Sequence, residues 1–233
     1  MTHTLATAVD GVTVASDAAA VHVASERRLT VLGSAVVGGG LGKSRHFLNL
    51  HVHKDYDGSR PEDDLAEAAA SRGISEPFVG LMTAAETQYA RLAEEERDGI
   101  RVAAVVSMGL SNVTCAGVTP PAGPPAASPA GTINSIVVVD AALTPAAMVN
   151  AVMTATEAKA LVLAAWSVLT PDGDPAFGTS TDSVVVACTG SGPALEYAGT
   201  ATTVGWLVAR CVRAAMERIC REKVERDGGR IGW

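Results

Sequence analysis

The sequence predicts an α/β fold: one domain spanning residues 1–233, built on a mixed β-sheet core covered by helices. Three observations predict it. Short apolar β-like runs alternate with helix-patterned segments between residues 46 and 188. The apolar content is 48% with only 4% aromatic residues, so the core must be layered from Ala, Val and Leu. A chain of 233 residues buries about 70% of its unfolded surface and needs no cross-links to hold it.

The elements follow in order. Runs at 11–14, 20–24 and 29–37 read as strands, and the glycine cluster 38–40 follows them. Residues 46–53, "HFLNLHVH", alternate like another strand. Ser59 stands three residues before Glu62, a capping-box spacing, and Gly73 closes the helix it opens. Residues 77–82 form a short buried strand. Thr83 and Glu86 repeat the capping-box spacing and predict a helix through about Asp98. The near-continuous apolar run 100–109 is a central strand.

Residues 117–131 carry five prolines and no periodicity; they predict an exposed loop long enough to be a lid. A strand over 132–140 leads to Thr144-Pro145, a cap with proline at the first helical position, and a helix to about Trp166. A strand at 182–188, a short one near 195–199 and a helix from 201 to about 226 complete the chain.

Charge and composition exclude several classes of function. The net charge of −7 and the lack of a basic face argue against a nucleic-acid partner. The long apolar segment 145–169 contains Asn150, Glu157 and Lys159, which argues against a membrane span. Cysteines 115, 188, 211 and 220 have no metal-clamp spacing; Cys211 and Cys220 point about 180° apart on one helix. Reduced thiols and the lack of a signal-like N-terminus predict a cytoplasmic protein. An Ala-rich core and an apolar-faced last helix make a homodimer plausible.

"VVGGGLGKSRH", residues 36–46, invites a phosphate-loop reading and fails it. The first glycine of that motif would fall on Val37, and a strand rather than a helix follows. Gly38, Gly39 and Gly40 then serve either a tight bend or a close backbone approach to a bulky partner. His51, His53 and Asp55 alternate on one strand face, but all five histidines precede residue 54, so no metal is expected there.

The helix 145–166 places Asn150, Thr154 and Glu157 on one face, with Lys159 nearly opposite Asn150. Both faces look largely buried, so Glu157 is paired, protonated, or open to a cavity where it could act as a general base. "GTSTDS", residues 178–183, gathers hydroxyls and Asp182 before a buried strand. "GLMT" (80–83), "GLSN" (109–112) and "GTIN" (131–134) each set a glycine beside a polar residue at a strand end. Together they predict a polar-rimmed pocket.

The series "GGG", "LNLHV", "YDGSRPEDD", "GLMTAA", "GLSNVTCAG", "GTINSIVVVD", "AAMVNAVMTATEAKA", "GTSTDSVVVAC" and "YAG" resembles the adenosylcobinamide amidohydrolase family of corrinoid salvage. The resemblance covers roughly residues 33–215; the charged stretch 218–233 has no counterpart, and the family usually tolerates Ala where Ser183 stands. It implies hydrolysis of one amide of adenosylcobinamide, releasing aminopropanol and adenosylcobyric acid. Cobalt enters only within the corrinoid, and no cofactor is expected. The alternative is a corrinoid carrier or sensor without turnover.

Chemistry then nominates the residues. Glu157 or Asp182 would activate water, or Thr181 would attack directly. Asn134, Asn150 or Lys159 would stabilise the oxyanion. Asn49, His51, Thr83, Asn112 and Thr179, with the glycine run, would hold the amide-bearing corrinoid.

Overall fold

The structure, a computed structural model, describes residues 3–121 and 131–228. Most of the proline-rich lid candidate, residues 122–130, lies outside the described residues. The strands are β1 (His3–Ala6), β2 (Val12–Ser16), β3 (Ala20–Gly33), β4 (Gly40–His51), β5 (Val79–Thr83), β6 (Arg91–Arg97), β7 (Ile100–Met108), β8 (Val113–Thr114), β9 (Ile133–Val139), β10 (Ala142–Leu143), β11 (Gly178–Thr179), β12 (Ser183–Cys188) and β13 (Ala194–Leu195). The helices are α1 (Pro61–Ser71), α2 (Pro145–Ala165) and α3 (Thr203–Arg226).

Nine strands form one mixed sheet in the order β1-β2-β3-β12-β9-β7-β6, with β4 on the other side of β3 and β5 beyond it. Two pairs are parallel, β4/β5 and β9/β12. Each is a strand–helix–strand unit, with α1 and α2 as the crossovers, because parallel neighbours need a long return. The long strand β3 joins the two halves of the sheet. Its first part pairs with β2 and its second with β12, and a register shift between Ala24 and Leu29 bends it against β4.

Side-chain alternation sorts the core into layers. Val102, Ala104 and Val106 of β7 and Val137 and Val139 of β9 face α2 and α3. Their neighbours Ala103, Val105, Ile136 and Val138 face the other way, onto Val21, Val23, Phe47 and Leu81 from the β1–β5 half. The sheet therefore folds over itself, and α1 covers the outer side of β4 through Leu48 and Ala69. Small residues on α2 (Ala147, Ala151, Ala155, Ala158) let it pack closely in the helix-side core. Fully burying one of the larger apolar side chains, such as Phe47, contributes about 1.5–3 kcal/mol.

Several sequence expectations need correction. The helix expected from Thr83 to Asp98 is a 3-10 turn (Thr87–Tyr89) followed by strand β6. Its Glu-rich sequence favours helix, but Asp98 and Gly99 both take positive φ, 52° and 74°, and close a tight hairpin onto β7. β6 is the last strand of the sheet path, where charge suits an edge. Ser59 does not cap α1: the N-cap is Arg60, and Pro61 starts the helix. Thr144 does cap α2, accepting from the Ala147 amide at 3.1 Å.

Candidate functional site

The parallel strands β9 and β12 begin side by side, Asn134 opposite Ser183, and β7 ends beside them with Ser107 opposite Asn134. Alternation at these tips sends side chains to two sides. Toward the inter-sheet core, Asn134 Nδ2 donates to Asn49 Oδ1 and to the Met82 carbonyl, both at 2.8 Å. Asn49 Nδ2 in turn donates to Ser107 Oγ at 2.8 Å. Thr83, at the end of β5, accepts from the Ala85 amide at 3.0 Å, and His51 Nδ1 lies 3.0 Å from the Ala85 carbonyl. These buried amides and hydroxyls are satisfied, as buried polar groups must be.

Toward the helices, Asp182 receives four donors. They are Lys159 Nζ of α2 in a short ion pair, the Thr179 amide at 3.0 Å, Thr179 Oγ1 at 2.5 Å and the Ile133 amide at 3.0 Å. Side-chain exposure of the pair is 9% and 12%. Gly178 makes room for it: a Cβ there would stand 2.6 Å from Asp182 Oδ2 and 2.8 Å from Lys159 Nζ.

Between the two sides lie two threonines. Thr132 is buried, and its hydroxyl donates to the Thr181 carbonyl at 2.7 Å and lies 3.3 Å from Asn134 Oδ1. Thr181 is exposed, and its hydroxyl donates to the Gly131 carbonyl at 2.7 Å while receiving Asn112 Nδ2 at 3.3 Å. Pairing of β8 with β11 draws Asn112 to this point. Among the described residues, Asn112 Oδ1 is buried with no hydrogen-bond partner.

The structure thus brings Asp182, Thr181, Lys159, Asn49, Asn112, Asn134 and Thr179 to one end of the sheet. It does not bring Glu157 or Asn150. Glu157 is exposed on the outward side of α2, where Met153 and Leu161 are exposed too, so the expectation that both helix faces are buried was wrong. A helix with small residues on one side needs only that side covered. Asn150 precedes Lys159 by nine residues, about 14 Å along the helix, and lies toward the opposite end of the strands.

Gly38, Gly39 and Gly40 form the bend between β3 and β4, which borders the cluster through the Ser34–Ser183 hydroxyl contact at 3.1 Å. A Cβ on Gly38 would lie 2.6 Å from the Phe78 carbonyl, so that bend requires glycine. A pocket of about 240 Å³ adjoins at Gly109 and Ser111. It is too small to enclose a corrin ring, so among the described residues the polar-rimmed pocket expected from the sequence does not enclose one.

Thr132 and Ser107 were missed as site residues. The signals are present: Ser107 interrupts an otherwise apolar run, and Thr132 sits inside "GTIN", taken as a glycine beside a polar residue, from which Asn134 is nominated. Burial raises the thiols of Cys188, Cys211 and Cys220, the last two to about 12, so none is a thiolate at neutral pH.

The sequence matches the family model for adenosylcobinamide amidohydrolase over residues 5–228. The chain belongs to the adenosylcobinamide amidohydrolase family. A protein of that name from Methanosarcina mazei is 31% identical over 188 residues, 77% of this chain and 84% of the relative. One from Halobacterium salinarum is 40% identical over 183 residues, 76% of this chain and 74% of the relative. In fold, the amidohydrolase chain resembles the crystal structure of the PH0078 protein from Pyrococcus horikoshii. The TM-score is 0.52 at 13% identity, covering 89% of this chain and 79% of the other.

Proposed function

We propose that this chain hydrolyses adenosylcobinamide at the amide carrying the aminopropanol arm, giving adenosylcobyric acid and aminopropanol, with Thr132 Oγ1 as the nucleophile. Family membership supplies the substrate class, and the placement of the Thr132 hydroxyl supports the mechanism. Asp182 is a poor candidate base because its two oxygens already accept four donors. Its role is positioning: it fixes the amide at the start of β9 and holds Lys159. Thr181 is a poorer nucleophile than Thr132, since its hydroxyl both donates and accepts. That same hydroxyl, aimed at a carbonyl oxygen, is suited to the oxyanion of a tetrahedral intermediate.

The steps balance simply. Thr132 Oγ1 bonds to the amide carbon, the carbon–nitrogen bond breaks, and aminopropanol leaves with the hydroxyl proton. Water then hydrolyses the ester and restores the threonine. Corrinoid side amides suit Asn112 and Ser111 at the rim, and the ring lies across the mouth beside the glycine bend rather than within a cavity.

Incubation with adenosylcobinamide should release aminopropanol, and Thr132→Val should lower that release by about a thousandfold or more while keeping the fold. Tight corrinoid binding without release would identify a carrier instead. We infer that no resident metal takes part, so exhaustive chelation should leave the rate unchanged. Its loss, restored by added metal, would overturn that part of the reading.

A further inference from the structure

The Thr132 hydroxyl lacks two things that a working nucleophile needs. It is only 4% exposed, so nothing as large as a corrinoid arm reaches it. Its partners among the described residues are a peptide carbonyl and an amide oxygen, neither of which accepts a proton at neutral pH. We propose that the chain cuts itself between Gly131 and Thr132, and that the α-amine freed on Thr132 is the base that serves its own hydroxyl. The inference deepens the reading above and rests on Thr132 as its nucleophile.

The peptide bond in question is held as a substrate would be. The Gly131 carbonyl oxygen accepts the Thr181 hydroxyl at 2.7 Å, and Asn112 Nδ2 supports that hydroxyl at 3.3 Å. This polarises the carbonyl and provides a donor for an oxyanion. A β-hydroxyl, Thr132 Oγ1, is the adjoining nucleophile. Gly131 is buried and admits no side chain. A Cβ would lie 2.7 Å from Asn112 Oδ1 and 2.8 Å from the Ser111 amide nitrogen, and closer still to Ser111 Oγ. Downstream of the bond the chain is pinned: the Thr132 carbonyl accepts the Gly109 amide at 2.9 Å, and the Ile133 amide donates to Asp182 at 3.0 Å.

Asn112 Oδ1 is the independent sign. Among the described residues it is a buried acceptor without a donor beside Gly131, and leaving such a group unpaired costs about 1–3 kcal/mol. A new ammonium on Thr132 would bring three donors to its neighbourhood.

In the reaction, Oγ1 attacks the Gly131 carbonyl carbon, the carbon–nitrogen bond breaks, and the hydroxyl proton passes to the departing amine. This leaves an ester between Gly131 and Thr132. Water hydrolyses it to a Gly131 carboxylate and a free Thr132 amino terminus. An α-amine titrates at about 7.7–8.0, where it can take the hydroxyl proton in each later turnover. Departure of Gly131 also frees the Thr181 hydroxyl, so the donor that polarised the chain's own amide becomes available to the substrate's.

Intact-mass analysis of the purified full chain tests this. Two polypeptides are expected, one ending at Gly131 and one beginning at Thr132, in place of a single chain of 23.7 kDa. Thr132→Val should stay whole and Thr132→Ser should still cut, while Thr181→Val should slow cutting about a hundredfold. If Thr132→Val fails to fold, the wild-type mass still decides the matter. A wild-type chain that stays whole while releasing aminopropanol overturns the self-cleavage and leaves the substrate reading standing. A cut chain that releases no aminopropanol does the reverse.

Discussion

The parallel strands β9 and β12 carry an ion pair at each end, and the two pairs differ in their surroundings. At the finish of β9, Asp140 receives Arg101 at 2.5 Å and 3.1 Å and the Thr189 hydroxyl at 2.8 Å. Arg101 is 27% exposed and also reaches Asp10, while Arg27 lies 3.7 Å from Asp140. The groups rim an open depression of about 630 Å³. At the start of the same strands, Lys159 and Asp182 are nearly covered and stand behind hydroxyls and amides. Asn112 Oδ1, the unpartnered buried side-chain atom noted among the described residues, lies at this end too. The lesson is that an ion pair does not by itself mark a reactive centre. The pair whose arginine reaches solvent is a clip, whereas the pair whose cation is covered stiffens the surface on which we place the uncharged groups of the proposed chemistry.

Removing one cation at each end tests that contrast most severely. Lys159→Met leaves Asp182 uncompensated in a covered site and should cost about 3–5 kcal/mol in chemical denaturation. Arg101→Met leaves the Asp140 side chain, itself only 9% exposed, with the Thr189 hydroxyl and Arg27 still beside it, and should cost less than Lys159→Met. Equal losses would mean that the two ends do not differ in solvation, and the comparison would fail.

The sequence shows this difference only in part. α2 was legible because Thr144-Pro145 caps it locally, and the central strands because their apolar runs are continuous. The stretch 83–98 was misread because its composition favours helix, while its conformation is set by pairing with β7 and by the turn at Asp98–Gly99. At the site, Asp182, Thr181 and Asn134 were legible as polar residues crowded at strand ends. The partnership of Lys159 with Asp182 spans 23 residues and depends on which way α2 faces. Glu157 and Lys159 are two residues apart, so a rotation of the helix exchanges their roles, and periodicity with small residues on several sides did not fix it.

Acid should affect the clip end more gently. Burial opposes ionisation of Asp140 most strongly of the individual causes, but the Thr189 hydroxyl, Arg101 and Arg27 together hold its carboxyl below the usual range. Glu222, near α3's end, is lowered to about 2, chiefly by its hydrogen bond from Arg91. A carboxylate lowered in the folded state contributes stability above its unfolded pKa, about 3.9 for Asp and 4.3 for Glu. That contribution is lost as pH falls through the folded value. Stability should therefore decline below about pH 4. Asp140→Asn should make the protein less stable at neutral pH and less sensitive to acid. An unchanged acid slope in that variant would remove Asp140 from the account.

The smallest expected effect sharpens the contrast most, because it separates two carboxylates that the sequence could not. Glu157→Gln changes a side chain exposed on the outward side of α2, so turnover should stay within about twofold of wild type. Asp182→Asn strikes the covered pair and should lower both stability and turnover. Aminopropanol release and denaturation midpoints, measured on the same preparations, read both outcomes. A loss of about a hundredfold in folded Glu157→Gln is what general-base catalysis by that residue would produce. It would move the chemistry from the strand tips to the outer face of the helix.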